Sequence, residues 1–61
     1  MELKMKKDSS FQIDVTGDEL LIINNALNEV CHGIDVCEFE TRIGASREEV
    51  QKLFNEIHSL I

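Results

Sequence analysis

The chain has 61 residues, 43% of them apolar and 30% charged, and its twelve acids against six bases leave a formal net charge of −6. A chain this short allows a single domain that buries only about 60% of its unfolded surface, which excludes a large catalytic cleft. The acid excess has the wrong sign for a protein whose affinity comes from coating phosphates or anionic lipid.

The balance of apolar and charged residues is that of a folded soluble domain, expected to span residues 1–61 as one unit. The longest apolar run, Leu20 to Ile23, is far short of the roughly 20 residues a membrane-spanning helix needs. Lys4, Lys6 and Lys7 are followed by Gln12 and Asp14 rather than by the apolar stretch of a secretory signal. A cytoplasmic location is therefore expected, with Cys31 and Cys37 reduced.

From Glu2 to Thr16 every even position is polar while Leu3, Met5, Phe11, Ile13 and Val15 fall on odd ones, the alternation of a strand. Asp8, Ser9 and Ser10 can break it into a hairpin. A three-residue loop sets Lys7 against Phe11, Met5 against Ile13, Leu3 against Val15 and Lys4 against Asp14, and it avoids the like-charge contact of Glu2 with Asp14. The alternative is a single strand over residues 11–15, preceded by a loose basic arm over residues 1–8.

Three helices are expected next, at about 17–32, 36–43 and 47–60. Each start carries the two residues of a capping box: Thr16 with Glu19, Asp35 with Glu38, and Ser46 with Glu49. Gly33 and Gly44 stand where the first two should end, since glycine takes the left-handed C-terminal turn without penalty. Helix three has a clean apolar stripe of Val50, Leu53, Phe54, Ile57, Leu60 and Ile61, and helix two offers Val36, Phe39 and Ile43. Helix one presents Leu20, Ile23, Leu27, Val30 and Cys31, but Leu21 lies in its polar face beside Asn25 and Asn28. Either the hairpin or a second copy of the chain should cover Leu21. The fold class expected is thus mainly α: a three-helix domain preceded by an N-terminal strand or hairpin.

Residues Phe39 to Leu53 resemble the helix-turn-helix motif. Phe39 and Ile43 match the apolar positions of its first helix, Gly44 the turn glycine, and Val50 with Leu53 the buried positions of its second. Glu40 departs from the motif, which places a small residue there. The resemblance implies a helix-turn-helix-like second and third helix, with Arg47, Glu48, Gln51 and Lys52 facing DNA. Against that role, Glu48, Glu49 and Glu56 outnumber Arg47 and Lys52 on the would-be recognition helix.

Cys31, His32, Cys37 and His58 are the softest candidates for zinc, yet no Cys-x-x-Cys or His-x3-His spacing unites them. No nucleophile motif or glycine-rich phosphate cradle is present. The expectation is a non-enzymatic protein-interaction module without metal or cofactor. Its partners would be a second copy of itself, through Leu21, Phe11 and Ile13, and a further protein, with nucleic acid disfavoured and no membrane. A small helix-turn-helix DNA-binding regulator is the alternative, and an acidic antagonist of a basic protein is the third.

Overall fold

Residues 2–14 form the hairpin in a computed structural model that describes residues 1–61. Strand β1 covers Glu2–Lys7 and β2 covers Ser10–Asp14, paired antiparallel. Residues 2–7 are thus strand, not a loose arm. The connection is a two-residue turn with Lys7 opposite Ser10, not the expected three-residue loop. Asp8 makes this possible by adopting φ 53°, a left-handed conformation that Asp tolerates better than most residues and that tight hairpin turns require.

The register breaks once, between Leu3 and Met5, so that Lys4 is an extra residue on β1. Leu3 therefore lies opposite Ile13, and Met5 opposite Gln12, which corrects the expected pairs of Leu3 with Val15 and Met5 with Ile13. Because side chains alternate strictly along β2, this bulge sorts the residues into two faces. One carries Leu3, Lys6, Phe11 and Ile13; the other carries Met5, Gln12 and the remaining polar groups. Glu2 does face Asp14, but the bulged Lys4 places its Nζ 3.5 Å from the Asp14 carboxylate and offsets the repulsion.

Helix α1, Gly17–Asn28, starts on a complete capping box. The Glu19 amide donates to Thr16 Oγ1 at 3.1 Å, and the Thr16 amide donates to the Glu19 carboxylate at 2.9 Å. The helix then widens into a π turn over Glu29–Gly33, closed by the Ile34 amide donating to the Glu29 carbonyl at 2.9 Å. Gly33 lies inside this turn and is not a left-handed cap. Gly44, at φ 87°, is one, and it ends α2.

Helix α2 spans only Phe39–Ile43, against the expected start at Val36. Asp35 does not cap it; Glu38 precedes it in a left-handed conformation, without a side-chain cap. The break falls at Glu38, whose φ of 53° an α-helix cannot continue through, and the Val36 carbonyl, left outside the helix, accepts from Arg47 Nη2 at 2.9 Å. Helix α3, Arg47–His58, begins on the Ser46 and Glu49 capping box.

A mainly α, helix-turn-helix-like domain is therefore not what this chain forms. It is a small mixed α/β fold, 56% helical and 18% strand, with a hairpin followed by three helices. Little more than one turn long, α2 cannot present the stripe a motif helix needs, and the long-helix packing is α1 against α3. Phe39 and Val50 are the buried apolar residues, joined by a buried Asn24. Asn24 Oδ1 meets His58 Nδ1 across the α1–α3 seam at 3.1 Å, while Phe54 lies between the His58 and His32 rings, with centroids 5.4 and 5.6 Å away.

Candidate interaction surface

The hairpin has no buried residue. Leu3, Phe11 and Ile13 share one face and are 57%, 59% and 50% exposed. Lys6 covers part of it, its ammonium 5.6 Å from the centre of the Phe11 ring. No substantial packing joins either strand to a helix. The one ion pair between the two regions runs from the Met1 ammonium to Glu19 in the first turn of α1. That ammonium, and after it the Thr16 backbone amide, hold the Glu19 carboxyl below its ordinary value of 4.5.

Phe11 and Ile13 are thus brought together, with Leu3 added by the bulge. Leu21 is not joined to them: it remains 46% exposed on α1, next to Ile22 at 68%. Sequence reasoning missed Ile22, although it directly follows the residue singled out. It also placed Leu53 in the core of α3, where the structure leaves it half exposed.

Arg47, Glu48, Gln51 and Lys52 do gather with Asn55 along one shallow depression of about 440 Å³ on α3. Arg47, however, is engaged within the chain, bound to the Val36 carbonyl and stacked 4.5 Å from the Phe39 ring centre. Gln51 Nε2 donates to Asn55 Oδ1 at 3.0 Å. Beside it, a wider groove of about 610 Å³ opens where α2 meets α3, lined by Glu38, Phe39, Glu40, Thr41, Ser46, Arg47 and Glu48. Its volume exceeds what the chain length led one to expect, but it is open to solvent, unlike the enclosing pockets that hold small ligands.

Cys31 is a half-buried free thiol and Cys37 an exposed one. No three His, Cys, Asp or Glu side chains converge as metal ligands, and no helix is long and apolar enough to cross a membrane. In comparisons with protein families, with characterised proteins and with solved structures, the chain matches none.

Proposed function

We propose that this protein is a non-enzymatic interaction module that works by binding protein, its first partner being a second copy of itself, in a cytoplasmic setting. The observation that carries this reading is surface area. The chain exposes 5026 Å², whereas a compact monomer of 7.0 kDa exposes about 4,000 Å². The surplus of roughly 1,000 Å² is close to the about 800 Å² that each partner contributes to a standard interface. The radius of gyration agrees, at 12.9 Å against about 10.5 Å for a compact chain of this length.

The uncovered apolar residues are also grouped. Leu3, Phe11 and Ile13 form a face of the hairpin, and Leu21 with Ile22 forms a second patch on α1. Scattered single apolar residues are ordinary, but contiguous ones on so small a chain mark association surfaces.

Sedimentation equilibrium at micromolar concentration tests the reading. The expected mass is twice that of the chain, and Leu21→Asp should weaken the assembly. A protein that stays monomeric, with a Leu21→Asp variant of unchanged stability, would sink the proposal.

A further inference from the structure

The two edges of the hairpin are not equivalent. Strand β1 carries Lys4, Lys6 and Lys7 among its six residues and is interrupted by the bulge; both are devices that blunt an edge against pairing with another chain. Strand β2, Ser10-Phe11-Gln12-Ile13-Asp14, has no lysine, no proline and no irregularity of its own. It is the unprotected edge.

Its hydrogen-bonding direction follows from the turn. In a two-residue hairpin the flanking pair, Lys7 and Ser10, exchanges both backbone hydrogen bonds, and alternation then turns Ser10 and Gln12 toward β1. The amides and carbonyls of Phe11 and Ile13 point the other way. The extra residue lies on β1, so the alternation along β2 is undisturbed, and β2 has β1 as its only neighbour.

We infer that β2 of one copy pairs antiparallel with β2 of a second, giving a four-stranded sheet in the order β1, β2, β2, β1 with a two-fold axis beside Gln12. This rests on the homodimer reading above and supplies its geometry. The register follows from which backbone groups are free. With Gln12 on the axis, Phe11 lies opposite Ile13 of the second copy and Ile13 opposite its Phe11, so every outward amide and carbonyl of the strand is paired. An axis beside Phe11 would set Ile13 against Ser9 in the turn, and one beside Ile13 would set Phe11 against Val15, past the strand end.

Side-chain chemistry favours the same arrangement. An aromatic ring meets a β-branched residue on one face, joining the two Leu3, Phe11 and Ile13 sets into a continuous apolar stripe. Ser10 faces Asp14 of the second copy, a hydroxyl donor against a carboxylate. The lysine-bearing strands become the outer edges, farthest from each other, where they oppose addition of a third copy. Pairing through β1 would instead put three lysines from each copy on one seam.

Amide exchange of the unmodified chain, followed by NMR above and below the concentration at which sedimentation shows dimer, tests the geometry. The Phe11 and Ile13 amides are expected to slow by about tenfold or more on dimerisation. The Lys6 amide, which faces outward from β1, should be unchanged. Cross-linking gives the register: residues facing each other across the axis without hydrogen bonds have Cα atoms about 4.5 Å apart, within disulfide reach. In a Cys31→Ala, Cys37→Ser background, Gln12→Cys should form a covalent dimer under mild oxidation and Lys6→Cys should not. A dimer by sedimentation whose Phe11 and Ile13 amides exchange as fast as in the monomer overturns edge pairing while leaving association intact. A chain that stays monomeric at millimolar concentration overturns both.

Discussion

The helices and the hairpin of this protein are held in place by different means. Helices α1 and α3 each begin on a complete capping box, pack against one another, and contribute Val50 and Asn24 to a small core that Phe39 completes. The hairpin has an ordered register and a cross-strand ion pair, yet every one of its residues is exposed. An isolated two-stranded hairpin is at best marginally stable in water. Local signals and packing thus serve the helical region, while the hairpin's apolar face and outer edge are left uncovered. The difference can be probed by asking which substitutions act at every concentration and which act only on association.

The largest effect is expected at Phe39. Its truncation removes the buried aromatic residue on which Arg47 stacks, a change that costs about 3–5 kcal/mol in a chain whose whole stability is of order 3–9 kcal/mol. Phe39→Ala should abolish cooperative urea unfolding monitored by circular dichroism, whatever the concentration. Retention of a wild-type transition would show that the helical region is held elsewhere.

Phe11→Ser should behave in the opposite way. Each Phe11–Ile13 pair across the seam contributes about 0.2–1 kcal/mol and the two-fold axis repeats it, so the dimer dissociation constant should rise by about two- to thirtyfold, read by sedimentation. The unfolding of the dilute monomer should shift by no more than about 0.5 kcal/mol. Equal losses in both measurements would erase the distinction between the regions.

The caps come next. Thr16→Ala and Ser46→Ala each remove a side-chain acceptor at 3.1 Å from a helix amide and should lower stability by about 1 kcal/mol apiece. Being on separate helices, the two losses should add in the double variant.

The smallest effect concerns the ion pair that joins the regions. Because the Met1 ammonium lowers the Glu19 carboxyl, the interaction stabilises the fold above the ordinary value of 4.5 and is lost as pH falls through the depressed one. Acetylation of the Met1 amine should move the Glu19 titration, followed by carbon NMR of its carboxyl, back toward 4.5. An unmoved titration would mean that the Thr16 amide alone sets it.

Much of the fold was legible because its signals are short-range. Thr16 with Glu19 and Ser46 with Glu49 are three residues apart, and the alternation through Phe11 and Ile13 is a property of neighbouring positions. Asp35 with Glu38 has the same spacing and failed, because Glu38 takes a left-handed conformation and the helix starts only after it, at Phe39. Met5 was placed on the wrong face because no local pattern announces the extra residue at Lys4. Of the candidate surface, Phe11 and Ile13 stand out by strand alternation and Leu21 by its place in a polar helix face, whereas Leu3 joins Ile13 only through the bulge and no local signal marks Ile22. Nothing local marks Asn24 for burial, since its partner His58 lies 34 positions away.

The sequence by itself determined where α1 and α3 begin, where Gly44 ends α2, and that residues 11–14 run as strand, because each depends on backbone preferences within a few residues, while it left open whether residues 2–7 pair with them. Only the tertiary structure decided that α2 is a single short turn, that α1 packs on α3 through Asn24 and His58, and that the hairpin packs little on the helices and leaves Leu3, Phe11 and Ile13 exposed. Those outcomes depend on which of several competing partners a carbonyl, an amide or an apolar face reaches in space, a choice that spacing along the chain does not encode.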